Sequence, residues 1–180
     1  MVSKTYNEIT IRKAEPEDAA MIAYFSRKTF LENYGPPAQI NNIEKFLHLQ
    51  FSVNDLMSEV SRKHITILLA YRLDTLLGYG VIREVQNPPE INSVLRGMEL
   101  SRLYVDSTFK GIGVGNALMK ECISQARLKH KEVLWLAIWN ENEQAIDFYT
   151  KWGFQKCGSK IFIFGDETHV DWIMKKNLQF

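Results

Sequence analysis

The sequence predicts a mixed α/β fold in which strands and helices alternate along the chain. A period-2 pattern opens the chain, runs of β-branched and aromatic residues from Ile65 onwards are typical of further strands, and apolar stripes at helical spacing lie between them. The 180 residues are 46% hydrophobic and show no break in composition, so a single domain with its own core is expected over residues 1–180.

The N-terminal third predicts one strand followed by helices. Residues 8–13 alternate apolar and polar side chains, which is the pattern of a strand. The run Glu15-Pro16-Glu17-Asp18 is typical of a helix start, because proline is tolerated in the first turn and acidic side chains favour its positive end. That helix should end at Gly35-Pro36-Pro37, and two further helical stretches are expected at residues 40–51 and 53–61.

The middle of the chain predicts three strands. Residues 65–73 and 76–85 are rich in β-branched and aromatic side chains and meet at Asp74-Thr75, which predicts a hairpin. The stretch 87–97, which begins Asn-Pro-Pro-Glu, predicts an exposed loop. Residues 98–105 are expected to form the next strand.

The last third predicts a helix, a strand, a second helix and two final strands. Apolar residues recur at helical spacing over residues 114–126, and residues 133–139 form an apolar run typical of a buried strand. A helix is expected over residues 142–152, and Gly153 would end it by adopting the left-handed conformation. The last strands are expected at residues 154–164 and 170–178. With the adjoining helical stretches at residues 40–51 and 53–61 counted as one, the complete order is β-α-α-β-β-β-α-β-α-β-β.

Composition excludes several classes of function. A net charge of +1 provides no basic surface, so no nucleic-acid partner is expected. The N-terminal segment is too polar for a signal peptide, and no apolar run approaches the roughly 20 residues of a membrane span, so a cytoplasmic protein without membrane contact is expected. Cys122 and Cys157 lack metal-ligand spacing and are expected to be reduced core residues, and the four histidines form no metal pattern, so no metal is expected.

Three glycines at alternate positions separate the strand at residues 98–105 from the following helix, in the segment K-G-I-G-V-G, Lys110 to Gly115. A P-loop needs its lysine after the glycines, and a dinucleotide motif needs its glycines directly after the first strand, so both are disfavoured. Glycines before a helix N-terminus let the backbone close on a pyrophosphate such as that of coenzyme A. A structural turn is the alternative for a glycine cluster taken by itself.

A second pattern follows in the helix predicted at residues 142–152. Asn142, Ala145 and Tyr149 stand at i, i+3 and i+7, so they line one face of that helix. An amide and a phenol would then lie roughly 10 Å apart along one extended ligand. For Tyr149 alone, a core aromatic residue is the alternative, since Phe148 and Trp152 flank it.

The two patterns together resemble the signature of the GCN5-related N-acetyltransferase (GNAT) superfamily. That signature is [QR]-x-x-G-x-[GA] after a strand, then N-x-x-A-x-x-x-Y-x-x-x-G-F, which this chain matches as N-E-Q-A-I-D-F-Y-T-K-W-G-F, Asn142 to Phe154. Lys110 departs from the usual glutamine or arginine but can still donate to a phosphate. The resemblance implies a mixed, mostly antiparallel sheet, splayed between the fourth and fifth strands, with helices on both faces.

Within the superfamily the chain is most similar to PaiA-type spermidine/spermine N-acetyltransferases. Four segments carry this likeness: T-F-L-E-N-Y from Thr29, E-L-S-R-L-Y-V from Glu99, W-L-A-I-W-N-E-N from Trp135 and F-G-D-E-T-H-V-D-W-I-M from Phe164. It implies a polyamine acceptor and a homodimer. A protein N-terminus, an amino acid or an antibiotic amine remain alternative acceptors, and a non-catalytic acyl-CoA-binding regulatory module is the alternative from another class.

The resemblance also implies direct transfer of the acetyl group to a primary amine, without an acyl-enzyme. The Val105 amide would stabilise the charge on the thioester oxygen, and Glu99 would take the proton of the amine. Tyr149 would give a proton or a hydrogen bond to the departing thiolate. A solvated carboxylate is the alternative for Glu99. The residues implied in holding acetyl-CoA are Leu103, Tyr104, Val105, Lys110, Gly111, Ile112, Gly113, Val114, Gly115, Asn116, Asn142 and Tyr149.

Two interpretations fit each of the other groups of charged side chains. The run Arg127 to Lys131 follows a predicted helix and is expected to complement its dipole, with a contact to the adenosine phosphate as the alternative. Scattered acids could attract a cationic substrate, although a solvated surface explains each of them equally well: Glu32, Glu84, Glu90, Asp166, Glu167 and Asp171.

Overall fold

The computed structural model describes residues 8–34, 47–48, 51–164 and 167–178. The strands are β1 Thr10–Lys13, β2 Ile65–Arg72, β3 Thr75–Arg83, β4 Gly97–Val105, β5 Val133–Trp139, β6 Gln155–Phe164 and β7 Glu167–Asn177. Helices with bounds inside the described ranges are α1 Ala19–Tyr34, α2 Val53–Val60, α3 Val114–Leu128 and α4 Glu143–Lys151. The stop at Gly35-Pro36-Pro37 and most of the helix expected at residues 40–51 lie outside the described residues.

The strands form one seven-stranded sheet in the order β1-β2-β3-β4-β5-β7-β6. β1 pairs with β2, β5 with β7 and β7 with β6 in antiparallel register, whereas β4 and β5 are parallel. The parallel register joins Gly97–Glu99 to Val133–Trp135, and the two strands continue to Val105 and Trp139. The predicted mixed, mostly antiparallel α/β fold is confirmed.

The chain divides into two compact units, and the first comprises Met1–Val81 with Arg102–Cys122. Within it, α1 and α3 pack against opposite faces of β3. The Tyr79 ring lies 6.0 Å from that of Phe25 on α1, whereas a Cβ on Gly78 would lie 3.2 Å from the Val114 side chain of α3. Because successive strand residues point to opposite faces, helices cover both sides here, as the resemblance implies.

The first helix begins as the sequence predicts, with a tighter first turn. Pro16–Asp18 form a 3-10 turn that leads directly into α1. Glu15 stands at its N-cap, and the Asp18 side chain accepts from the Glu15 backbone N–H at 2.8 Å in a capping box.

The second unit comprises Ile82–Ser101 with Ile123–Phe180. Its core includes Val133, Trp135 and Ile173, and Ile91 from the loop before β4 joins them at 2% exposure. The predicted loop is confirmed over residues 87–96, but Ile91 within it is buried instead of exposed, and Gly97 already belongs to β4. The Asn87 amide donates to the carbonyl oxygens of Asn92 and Leu95, which folds the loop so that Ile91 points inward. The expectation of a single domain over residues 1–180 stays a prediction.

Candidate active site

β4 ends at Val105, and Asp106 follows it directly, four residues before the glycine segment begins at Lys110. The Asp106 N–H donates to the Leu77 carbonyl at 3.0 Å, and the Asp106 carboxylate accepts from the Thr108 N–H at 3.0 Å. Asp106 thereby caps a short 3-10 turn, Ser107–Phe109, that leads to Lys110. The end of β4 is fixed by hydrogen bonds before the glycines begin.

Two of the three glycines need the conformational freedom of glycine. Gly111 has φ +83° and Gly113 has φ +96°, and a Cβ at either position would meet nothing within 4 Å. Gly115 lies inside the first turn of α3, and its φ is not positive. The first two glycines therefore shape the turn and leave open space above its backbone.

The start of α3 presents backbone N–H groups at this turn. The Ala117 N–H reaches back into the turn and donates to the Gly113 carbonyl at 2.9 Å. The N–H groups of Val114 and Gly115 lie in the first turn of the helix, where a helix provides no acceptor of its own. Together with the positive end of the helix dipole, this arrangement fits an anion such as a pyrophosphate, so the residues present suit coenzyme A.

An ion pair that sequence reasoning missed secures the residue before this turn. The Lys28 ammonium on α1 donates to the Asp106 carboxylate at 2.6 Å, and Lys28 also lies 3.8 Å from Glu32. Burial of Asp106 opposes its ionisation, but hydrogen bonds from Lys28 and Thr108 outweigh that effect and hold the pKa of the carboxyl below its ordinary value. Glu32, a candidate for attracting substrate, instead faces Lys28 and accepts from the Ser107 N–H at 3.4 Å.

A second ion pair that the sequence did not predict joins β4 to α2. Arg102 donates to Glu59 on α2 at 2.8 Å, and both side chains are about nine-tenths buried, at 11% and 10% exposure. The Arg102 guanidinium also lies 5.5 Å from the Phe51 ring centre. β4 thus carries a buried ion pair one residue before Leu103, the first of its three implied cofactor-contacting residues.

The same face of the unit holds a fully buried tyrosine. The Tyr79 hydroxyl lies 2.6 Å from the Ser26 hydroxyl, and the Tyr79 ring lies 5.6 Å from that of Tyr104. Burial raises the pKa of Tyr79 to about 12, so the phenol is neutral and holds its place by packing and hydrogen bonding. The Tyr104 side chain therefore packs against this core.

The second unit contains the other half of the motif, on α4. Asn142 is the N-cap of the helix, and its side-chain oxygen accepts from the Ala145 N–H at 3.2 Å. The helix ends with Gly153 at φ +83°, as the sequence predicts. Since capping uses the Asn142 oxygen, a contact from this side chain to a ligand would come from its amide nitrogen.

Tyr149 lies on the same helix and is largely buried, at 8% exposure. Its ring makes edge-to-face contacts with Phe148 and Phe154 at 5.5 and 5.7 Å between centroids. The packing fixes the ring, so the phenol is held in one direction. The roles of Asn142 and Tyr149 toward acetyl-CoA stay predictions.

Glu99 is half-buried on β4, opposite Trp135 in the parallel register. Its strand neighbours Met98 and Leu100 are buried, so the Glu99 side chain lies on the other face of the strand. Its role as the base stays a prediction.

Two lysines of the basic run at the C-terminal end of α3 contact a carboxylate of the protein itself. Lys129 and Lys131 each lie 2.7 Å from the Glu84 carboxylate, and hydrogen bonds from the two lysines hold its pKa below its ordinary value. Glu84 is thus neutralised by the protein itself and is a poor candidate for attracting a substrate.

The other acids considered for substrate attraction are placed differently. Glu90 packs its side-chain stem against Gly158, and Asp171 is half-buried on β7. Asp166 lies outside the described residues, as does the side chain of Glu167.

Neither cysteine is suited to act as a nucleophile. Cys122 is fully buried, and burial raises its pKa to about 12. Cys157 is half-buried, and burial raises its pKa as well. Both are free thiols whose reactive thiolate form is disfavoured, which suits a transfer without an acyl-enzyme.

Two features are absent from the part of the chain that the structure describes. No group of three or more His, Cys, Asp or Glu side chains there could hold a metal ion. None of the helices in those ranges is long and apolar enough to cross a membrane.

Comparison with known proteins agrees with the fold and with the motif. The model of the acetyltransferase (GNAT) family matches residues 23–154, most of the chain. The chain therefore belongs to the GNAT family and is an acetyl-CoA-dependent N-acetyltransferase of that type.

Individual relatives span nearly the whole length of the chain. An uncharacterized N-acetyltransferase in the pepI 3′ region of Lactobacillus delbrueckii subsp. lactis is 25% identical over 170 residues, which cover 94% of this chain and 98% of the relative. The PaiA N-acetyltransferase of Thermoplasma acidophilum, crystallised with coenzyme A, has a TM-score of 0.74 at 24% identity over 94% of this chain and 99% of its own. The ribosomal-protein-S18-alanine N-acetyltransferase of Escherichia coli has a TM-score of 0.71 at 16% identity, with 96% of each chain covered.

Proposed function

We propose that this enzyme transfers the acetyl group of acetyl-CoA directly to a primary amine of a polyamine such as spermidine or spermine. The observation that carries the proposed transfer is the glycine turn at the start of α3, whose positive φ angles and open space suit a pyrophosphate. The polyamine acceptor is supported by the sequence segments shared with PaiA-type enzymes and by the structural likeness to the Thermoplasma PaiA protein.

The first unit supplies most of the groups proposed to hold acetyl-CoA. Backbone groups of Leu103, Tyr104 and Val105 pair with the pantetheine arm, and the amides from Gly111 to Asn116 surround the pyrophosphate, with Lys110 adding a positive charge. Acetyl-CoA supplies the activated acyl group as a thioester. The Val105 amide donates to the thioester oxygen, where negative charge develops during attack.

The amine must lose a proton for the reaction to proceed, and the thiolate must gain one. The amine nitrogen forms a bond to the acetyl carbon, the carbon–sulfur bond breaks, and the products are an N-acetyl amine and a free thiol. Glu99 takes the proton of the amine, directly or through water, and Tyr149 gives a proton or a hydrogen bond to the sulfur. Asn142 adds a contact to the cofactor from its amide nitrogen.

A second acceptor class is a peptide N-terminus. The comparisons favour it as the runner-up because the E. coli S18-alanine acetyltransferase has the same fold, and the RimI N-alpha-acetyltransferase of Mycobacterium tuberculosis is 25% identical over 151 residues. Both substrates are amines attacked in the same way, so the two acceptors use the same catalytic groups.

A direct test measures thiol release from acetyl-CoA with spermidine, spermine, single amino acids, an aminoglycoside and an alanine-terminated peptide. Faster release with the polyamines, matched by mass spectrometry of the acetylated product, is the expected result. Preference for the peptide would overturn the polyamine assignment and support the runner-up. Coenzyme A binding without thiol release from any amine would support a non-catalytic regulatory module instead.

A further inference from the structure

A carboxylate on β7 lies at the point where β5 ends. Asp171 is directly opposite Trp139, the last residue of β5, and directly opposite Lys160 on β6. Residues paired in antiparallel register share a face of the sheet, so these three side chains lie on one face. His169 stands two residues before Asp171 on the same face, and its ring lies 5.6 Å from that of Trp139.

The described residues around this carboxylate offset its charge only in part. Within the described ranges, neither a hydrogen bond nor an ion pair within 4 Å engages Asp171. The side chain is half-buried, and burial raises its pKa although Lys160 and His169 act in the opposite direction. The ionised form of such a partly buried carboxylate is stabilised when a cation binds beside it.

Four other shielded carboxylates are each paired with a cation. Arg12 lies 2.6 Å from Asp18, Lys28 lies 2.6 Å from Asp106, and Arg102 lies 2.8 Å from Glu59. Glu84 has two lysines at 2.7 Å. Asp171 differs from these four, since Lys160 and His169 act on it through longer-range electrostatics and no ion pair within 4 Å joins it to a described residue.

The ligand that suits this position is an ammonium group. A carboxylate can accept charge-assisted hydrogen bonds from it, and an indole on the same face attracts it through the negative face of its ring. The position also lies close in sequence to the motif, because β5 ends three residues before Asn142, the cap of the helix that carries Tyr149. Ligands of α/β sheets commonly bind at the carboxyl ends of strands.

We propose that the Asp171 carboxylate, with the Trp139 indole beside it, binds the ammonium group of the acceptor amine. This inference rests on the proposed function, since it assigns the acceptor side of that reaction. It also distinguishes Asp171 from Glu32 and Glu84, whose charges the protein itself satisfies.

Lys160 provides a test of opposite sign. It is exposed, and it lies across the strand pair from Asp171. The Lys160 ammonium competes weakly with the ammonium group of the amine for the Asp171 carboxylate. Removing it in Lys160→Met should therefore strengthen amine binding, by about two- to fivefold.

The experiment measures equilibrium binding of an amine to the full chain saturated with coenzyme A, using the panel amine with the highest turnover, or spermidine if none is acetylated. In Asp171→Asn the amine should bind at least about tenfold more weakly, because a charged hydrogen-bond acceptor is lost. Affinity for coenzyme A should be unchanged, which also shows that the variant is folded. Asp74→Asn, an exposed change of the same charge in the β2–β3 turn, is the matched control and should behave like the wild type.

The outcomes separate this inference from the proposed function. An Asp171→Asn variant that binds the amine within twofold of the wild type overturns the inference, even if the enzyme acetylates that amine well. If the wild type binds the amine but releases no thiol with any amine, and Asp171→Asn loses that binding, the inference is supported and the proposed activity is overturned. Absence of measurable amine binding to the wild type, or weaker binding in Lys160→Met, also counts against Asp171.

Discussion

The Lys28 ammonium donates to the Asp106 carboxylate across 2.6 Å, joining α1 to the residue that directly follows β4. Asp106 also caps the turn that precedes Lys110 and the glycines. A residue on the first helix thus helps to hold the segment proposed to bind the pyrophosphate, although it lies outside the motif itself.

Replacing Lys28 should weaken coenzyme A binding. In Lys28→Met the Asp106 carboxylate, at 9% side-chain exposure, would lose its cation and add an unpaired negative charge beside the proposed phosphate site. We expect the dissociation constant of coenzyme A, measured by calorimetry, to rise by about three- to tenfold. Arg27→Met, an exposed change of the same charge on α1, is the control and should leave the constant unchanged. Equal effects of the two variants would point to general electrostatics instead of the Asp106 contact.

Replacing Gly78 or Gly113 by alanine should lower the free energy of unfolding for two different reasons. A Cβ at Gly78 would lie 2.6 Å from the Tyr104 carbonyl oxygen, so Gly78→Ala should lower the free energy of unfolding by about 1–3 kcal/mol. A Cβ at Gly113 meets no atom within 4 Å, so Gly113→Ala should have only the cost of about 1–2 kcal/mol for the left-handed backbone or a rearranged turn.

Coenzyme A affinity then distinguishes the two glycine variants. Gly113→Ala should reduce it by about tenfold or more, because the side chain enters the space proposed for the pyrophosphate. Gly78→Ala should retain it at temperatures where the protein is folded. Urea unfolding and calorimetry provide the two measurements, and normal affinity in Gly113→Ala would contradict a pyrophosphate site at this turn.

Local signals in the sequence predicted the elements and the motif positions well. Asn142 caps α4, and Gly153 ends it in the left-handed conformation, because both effects depend on residues within one or two helical turns. The glycine segment likewise revealed its strand-turn-helix setting through composition alone.

The contacts that stabilise the site could not be predicted in the same way. Lys28 and Asp106 are 78 residues apart, and Glu59 and Arg102 are 43 apart, so no periodicity or spacing reports that they meet. Ile91 was missed for the opposite reason: the prolines and asparagines around it are typical of an exposed loop, but the fold brings that loop over a core. Both the ion pairs and the burial of Ile91 depend on contacts between segments that are distant in the sequence.

Tyr149→Phe should lower turnover without weakening cofactor binding. The ring packs between Phe148 and Phe154, so a phenyl group retains the packing and removes only the hydroxyl. We expect kcat to fall by about 100-fold, the lower range for a general acid, while the dissociation constant of acetyl-CoA stays within about twofold. Tyr24→Phe, at a site 72% exposed on α1, is the control. Unchanged turnover in Tyr149→Phe would remove this phenol from the mechanism.

The ion pairs of Glu84 should contribute to stability at neutral pH and not in acid. Hydrogen bonds from Lys129 and Lys131 hold the pKa of Glu84 below its ordinary 4.5, so its stabilisation is present above that value and is lost as the pH falls through the folded-state pKa. Glu84→Gln should lower the free energy of unfolding by about 1 kcal/mol at neutral pH, and the difference from the wild type should vanish in acid. Urea titrations at both pH values test this, with Asp147→Asn, exposed on α4, as the control. A difference that persists in acid would mean that packing, and not charge, explains the effect.

The buried pair between Arg102 and Glu59 should be the most sensitive charged contact of the first unit. Glu59→Ala would leave the guanidinium, at 11% side-chain exposure, without its carboxylate, and breaking such a pair costs about 3–5 kcal/mol. The double variant Glu59→Met with Arg102→Met removes both charges and replaces them with apolar volume, so it should recover most of the loss in urea unfolding. Recovery is expected because the cost arises from the unpaired charge rather than from the missing contact. A double variant as unstable as Glu59→Ala would show instead that the shape of the Arg102 side chain, packed against Phe51, provides the stability.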